Sequence, residues 1–277
     1  MDKDKILENY NRDGYVLLKN VFSPEEIRSI REKITNLSSL EGDVLSHESL
    51  REVLLDERVL EPLRIILKGK LVYFGDSCVQ SEKKEGTRGF HRDSKEDFED
   101  PTKTDYPIVR LGIYTQDHVQ HGGGLKVRQG SYKREYFGKQ NISRALFGKP
   151  YGPLSWKALR IGKSINLDIA PGDLIIWNLR TWHSGHAVRL KFFRRFSINP
   201  KLEKHIPKSF LRPSILPRMV IFSSFGVSSK ELDTYVAERA KHPSNAEFWK
   251  KCKFDSPEVE LLCLQKGIEL KYDGIKK

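Results

Sequence analysis

Cysteine is scarce in this chain. Cys78, Cys252 and Cys263 are the only three in 277 residues, and none sits in a CxxC pair. An odd number without paired spacing leaves no basis for a disulfide framework or a cysteine-built zinc cage, so they read as reduced thiols. Long apolar runs are missing too: nothing approaches the ~20 residues needed to span a bilayer. The start, Met1-Asp2-Lys3-Asp4-Lys5, runs into the amphipathic Ile6-Leu7-Glu8-Asn9-Tyr10 without the apolar core of a signal peptide. The final Gly274-Ile275-Lys276-Lys277 matches no peroxisomal or lipidation signal. A cytoplasmic protein with no membrane partner is expected.

Acidic residues are absent from long stretches. The net charge is +12, and between Gly124 and Ser164 ten Lys or Arg face Glu135 alone. From Val188 to Val220 nine more face only Glu203, whereas 82–105 is mixed and leans acidic. A field of one sign steers anions towards a cleft, or else simply solvates a surface. Without a basic helix or an aromatic RNP-like pattern, the expected partner is a small anionic molecule and not nucleic acid. Hydrophobic content of 38% and charged content of 31% describe a folded globular chain.

The β-rich Gly14–Val21 predicts a strand. Ser23-Pro24-Glu25-Glu26 then announces a helix, with serine as cap, proline at the first position and Glu26 closing a capping box. Ile27, Ile30, Ile34 and Leu37 keep helical spacing, and Glu48 to Leu67 reads as one or two more helices. Short β runs follow: Leu71–Phe74, Ile108–Thr115, Gly124–Val127, Ile165–Ile169, Asp173–Trp177 and Phe192–Ile198. Strands without alternating helices argue for a jelly roll or barrel. Helices are expected again from about Lys204, with capping signals at Ser228-Ser229-Lys230-Glu231 and Ser256-Pro257-Glu258. There is no internal repeat. The plan is a single domain, mainly β with flanking helices: a strand and helices over 1–70, a β core over 71–203 and a helical extension over 204–277.

Within that plan, His91-Arg92-Asp93 is answered ninety-two positions later by His183, and Arg194 follows after eleven more. His-x-Asp alone carries little weight at this content of His and acids. Its setting adds to it. On extended backbone, residues two apart point to the same side, so His91 and Asp93 can reach one metal. His183 follows Pro171-Gly172-Asp173-Leu174-Ile175-Ile176-Trp177, a turn feeding a buried strand. Two histidines and a carboxylate hold one face of an octahedral Fe(II), leaving positions for a co-substrate and O2. An arginine supplies the planar fork that grips a dicarboxylate.

The order is His91-x-Asp93, then Gly123-Gly124-Leu125 through Gln129-Gly130-Ser131-Tyr132, then Pro171-Gly172-Asp173, His183-Ser184-Gly185 and Arg194. With Asp13-Gly14-Tyr15-Val16-Leu17-Leu18 at its head, it resembles the phytanoyl-CoA dioxygenase family over residues 10–200. Two local departures are the Ser184-Gly185 order and Gln129-Gly130-Ser131-Tyr132 where many members have Pro-Gly-Ser-His. The resemblance implies a double-stranded β-helix (cupin-like jelly roll) core and an Fe(II)- and 2-oxoglutarate-dependent dioxygenase. His91, Asp93 and His183 would be metal ligands and catalytic centre, and Arg194 the 2-oxoglutarate anchor. Succinate and CO2 would be formed as an aliphatic carbon of a small, anionic or carrier-linked metabolite is hydroxylated. Halogenating relatives lack the carboxylate, so Asp93 favours hydroxylation.

Several residues compete for these roles. His186 is an alternative ligand to His183, or a contact beside the metal. Arg195 competes with Arg194, since neighbours on a strand face opposite sides. His118 and His121 belong to a solvated loop beside the glycines, and Trp177 and Trp182 read as barrel filling. Arg180 suits an anionic substrate or a salt bridge equally. Two other functions stay open: a non-catalytic cupin-like binding module, and an oxygenase of the same chemistry acting on nucleic acid.

Overall fold

The structure, a computed structural model, describes residues 2–37, 39–82, 90–94, 106–117, 124–133, 164–187, 190–192, 205–211, 218–251, 254 and 256–271. Helix α1 (Lys3–Asp13) is capped by Asp2 and stops at Gly14, whose φ of 79° is the left-handed C-cap that glycine adopts without cost. Strand β1 (Tyr15–Leu18) follows, and then α2 (Pro24–Thr35) with both hydrogen bonds of the Ser23–Glu26 capping box in place. The 48–67 segment resolves into α3 (Glu48–Leu54) and α4 (Glu57–Leu67).

The β core comprises β2 (Leu71–Glu82), β3 (Ile108–Tyr114), β4 (Gly124–Arg128), β5 (Ser164–Asn166), β6 (Leu174–Asn178), β7 (His183–Ala187) and β8 (Arg218–Val227). Helices α5 (Lys230–Ala240), α6 (Pro243–Lys251) and α7 (Pro257–Gln265) and the short β9 (Ile268–Leu270) complete the described chain. One sheet has the order β1-β6-β3-β8-β2-β9 and the other β5-β4-β7. This is the mainly β jelly roll with flanking helices that was expected. None of the described helices is long and apolar enough to cross a membrane.

One boundary is corrected. The 204–277 segment, expected to be a helical extension, first supplies β8, which sits between β3 and β2 in the larger sheet. Arg218-Met219-Val220-Ile221-Phe222 is buried throughout, as a central strand must be. The β core therefore extends to Val227. Of the strand expected at Phe192–Ile198, residues 193–198 lie outside the described residues.

Strand parity decides what lies inside the barrel. On β6, Leu174 and Ile176 join the large apolar cluster beneath the helices, with Ile27, Ile30, Leu60 and Leu63. Ile175 and Trp177 turn the other way, into a smaller cluster with Tyr114, Leu125, Val127, Val220 and Phe222. Side chains alternate across a strand, so the cross-strand partners of Trp177 face inward with it. Those partners are Arg110 on β3 and, beyond it, Ser224 on β8.

Candidate metal centre and active site

His183 opens β7, next to β4, and its free edge takes the residues around His91. The two histidines exchange both backbone hydrogen bonds, His91 N–H to the His183 carbonyl at 2.9 Å and the reverse at 3.0 Å. Two residues on, the Asp93 N–H donates to the Leu179 carbonyl at 3.1 Å. The extended backbone thus aims His91 and Asp93 at the same space as His183. The imidazole centroids are 4.4 Å apart. Asp93 Oδ2 lies 3.5 Å from His183 Nε2, and Asp93 Oδ1 lies 4.0 Å from His91 Nε2.

All three donor atoms fall within 4.8 Å of one another, and no other such group occurs among the described residues. Neighbouring ligands on one ion with bonds of ~2.1 Å would be roughly 3 Å apart, so the group fits a metal with small side-chain adjustments. Two imidazoles and one carboxylate are the donor set of non-heme Fe(II). Surrounding groups hold the donors in place. His183 Nδ1 lies 3.0 Å from the Thr181 carbonyl, an acceptor that favours the tautomer with Nε2 free. Trp177 Nε1 donates to Asp93 Oδ2 at 3.4 Å, and the indole lies 5.4 Å from the His183 ring. Burial lowers the His183 pKa and keeps its imidazole neutral. Burial alone would raise that of Asp93, but the neighbouring histidine rings and the Arg110 guanidinium hold it below the usual carboxylate value. A neutral imidazole and an ionised carboxylate are the forms that bind a metal.

A buried arginine that the sequence reading passed over lies deeper. Arg218 faces inward at the start of β8, and its guanidinium carbon is 5.3 Å from the Phe222 ring centre and 5.9 Å from that of Tyr114. Its Nη1 donates to Gln80 Oε1 at 3.2 Å. Across the barrel is Gly185, where an added Cβ would sit 3.7 Å from both terminal nitrogens of Arg218. Gly185 is two residues past His183, so the Arg218 guanidinium faces β7 about one rung, roughly 6.6 Å along the strand, from that ligand. Its signal in the sequence was an arginine opening a β-branched run; the eleven-residue spacing drew attention to Arg194 instead.

The other candidates separate as follows. Arg194, Arg195, His118 and His121 lie outside the described residues. His186 belongs to β7, with its side chain outside the description. Trp177 fills the barrel as expected and also touches Asp93. Trp182 lies between Arg92 and Arg128, 5.8 and 5.7 Å from its ring centre. Arg180 is buried, with its guanidinium 4.1 Å from the centre of the Tyr106 ring.

No family model matches the chain, and no curated protein matches it by sequence. Solved structures do share its fold. HygX from Streptomyces hygroscopicus with iron bound has a TM-score of 0.54 and 16% identity, covering 81% of this chain and 86% of that one. HygX with nickel and 2-oxoglutarate bound gives 0.53 at 16%, covering 81% and 87%. The non-heme α-ketoglutarate-dependent carbocyclase SnoK from nogalamycin biosynthesis gives 0.52 at 16%, covering 84% and 91%. At such identity the likeness is one of fold.

Proposed function

We propose that this chain is an Fe(II)- and 2-oxoglutarate-dependent oxygenase that hydroxylates an aliphatic carbon of a small, anionic or carrier-linked molecule. One juxtaposition carries the reading: the His91–Asp93–His183 donor set on the inner wall of the barrel, with Arg218 one rung deeper. The triad would hold iron, and Arg218 would grip the distal carboxylate of 2-oxoglutarate through its planar fork. Bound there, iron and 2-oxoglutarate supply oxidation of a C–H bond by O2, coupled to decarboxylation of the co-substrate to succinate and CO2. The protein's own groups orient and exclude water. Trp177 and the Leu179 carbonyl position Asp93, and the Thr181 carbonyl orients His183. Tyr114, Trp177 and Phe222 give part of the interior an apolar lining. Asp93 supports hydroxylation, since a halogenating site needs that position open for a halide. A carbocyclase among the structural neighbours makes product analysis the deciding step.

The test is O2-dependent release of CO2 from 2-oxoglutarate by the Fe(II)-loaded protein. It is expected in the wild type and lost in His91→Ala and Asp93→Ala, with label from 18O2 appearing in a hydroxylated product. A wild-type protein that binds neither Fe(II) nor 2-oxoglutarate would sink the reading in favour of a binding module.

A further inference from the structure

Level with the triad, the facing wall of the barrel carries charge where the rungs below carry hydrocarbon. Trp177, Arg110 and Ser224 are successive cross-strand partners there. Ser224 Oγ donates to Asp76 Oδ2 at 2.7 Å, and Arg110 Nη1 reaches the same oxygen at 3.3 Å. Arg239, from α5, donates through Nη2 to Asp76 Oδ1 at 2.9 Å and through Nη1 to the Tyr235 hydroxyl at 3.1 Å. Asp76 reaches this position through an irregularity in β2. The register with β8 shifts between Tyr73 and Ser77, with Gly75 at φ 70°. Trp249 Nε1, from α6, donates to the Gly75 carbonyl at 2.7 Å, fastening the bulge from outside.

Two guanidinium groups share the single Asp76 carboxylate. Each carries five N–H donors. Among the described residues, Arg110 commits one to the protein, at a long 3.3 Å, and Arg239 commits two. Arg239 Nε is buried without an acceptor among them. Both side chains also stay accessible, Arg110 at 14% and Arg239 at 25%, whereas Asp76 is at 6%. Arg218 already serves the deeper rung, so this second basic site lies where a molecule facing the metal would be.

We propose that Arg110 and Arg239 form the recognition point for an anionic group of the substrate, a carboxylate or a phosphate, on the wall facing the triad. This rests on the oxygenase reading above, and it gives the segment beyond β8 a role: α5 brings a residue to the substrate.

The experiment uses the full chain loaded with Mn(II) and saturated with 2-oxoglutarate, so that the metal and Arg218 are occupied. Inorganic phosphate is titrated and followed by 31P relaxation, and 13C-labelled acetate by 13C relaxation. Saturable paramagnetic enhancement of at least one anion is expected in the wild type. Phosphate dominating points to a phosphorylated substrate, and acetate dominating to a carboxylate. Binding should weaken about tenfold or more in Arg239→Gln and recover in part in Arg239→Lys. Arg110→Lys, which keeps the charge beside Asp76 but loses the fork, should weaken it as well. The affinity for 2-oxoglutarate should stay unchanged in all three. No enhancement of either anion in a wild type that holds Mn(II) and 2-oxoglutarate overturns this inference alone, as does enhancement undiminished in Arg239→Gln and Arg110→Lys. A wild type that does not bind Mn(II) overturns the oxygenase reading and this inference with it.

Discussion

His91 and His183 are joined by a reciprocal pair of backbone hydrogen bonds, 2.9 and 3.0 Å long, so the geometry of their side chains is set by main-chain pairing. Substituting either histidine removes a donor and leaves the pairing intact. His91→Ala, Asp93→Ala and His183→Ala should each abolish stoichiometric Fe(II) or Mn(II) binding, while circular dichroism stays that of the wild type. Trp177→Phe keeps the ring against His183 but loses the N–H that reaches Asp93 Oδ2. Metal affinity should fall about 10- to 100-fold, the usual effect of removing a group that orients a ligand. Titration of Mn(II) followed by electron paramagnetic resonance measures both.

Arg218 makes a separate prediction, because it acts on the co-substrate and not on the metal. Arg218→Ala should raise the dissociation constant for 2-oxoglutarate about tenfold or more, from losing charge-assisted hydrogen bonds worth ~1.5–3 kcal/mol each. Mn(II) affinity should hold. Arg218→Lys should recover part of the loss, since lysine keeps the charge without the fork. Arg194→Ala is the companion measurement. If it, and not Arg218→Ala, weakens 2-oxoglutarate binding, the anchor is the arginine that the eleven-residue spacing indicated.

The difference between those two arginines shows what the chain makes legible. The capping box at Ser23, the strands around Leu111 and Ile175 and the His91/Asp93/His183 pattern depend on neighbours in sequence, through periodicity, caps and a two-residue alternation. They could be read directly. Strand β8 depends on a partner more than a hundred residues away in β3 and β2. Its apolar run falls inside the segment expected to be helical from about Lys204, and no local signal along the chain marks its distant partners. The Asp76–Arg110–Arg239 cluster is harder still. It joins three elements through a bulge, and none of its members forms a motif along the chain.

Asp43 links pH to stability. It is fully buried, caps the turn at Val44–Ser46, and accepts hydrogen bonds from the Tyr73 hydroxyl and the Ser77 N–H. Burial outweighs these donors and raises its pKa from 3.8 to about 6. A carboxyl whose folded pKa exceeds its unfolded value binds its proton more tightly in the native state. Its stabilisation is therefore complete below pH 3.8 and is lost as pH rises through about 6. The wild type should lose about 3 kcal/mol relative to Asp43→Asn across that window, because the asparagine does not titrate there. Urea unfolding of both proteins between pH 3.5 and 7 measures the difference; parallel curves would show that Asp43 is not the group responsible.

Two glycines separate backbone strain from steric conflict. Gly172 sits in the turn that feeds β6 and hence positions Trp177. Its φ is 88°, and an added Cβ would lie 2.2 Å from the Phe22 carbonyl oxygen. That oxygen cannot simply swing aside, because the neighbouring Phe22 N–H is bonded to the Gly172 carbonyl. Gly267, after α7, has a similar φ of 66° with nothing within 4 Å of its Cβ position. Gly267→Ala should cost about 1 kcal/mol, from the left-handed backbone alone. Gly172→Ala adds a clash with backbone and should cost about 3 kcal/mol or more. Because the displaced turn leads directly into β6, Gly172→Ala should also weaken Mn(II) binding through Trp177 and Asp93, whereas Gly267→Ala should leave it unchanged. Equal losses of stability in the two variants would mean that the 170–173 turn yields without transmitting strain to the site.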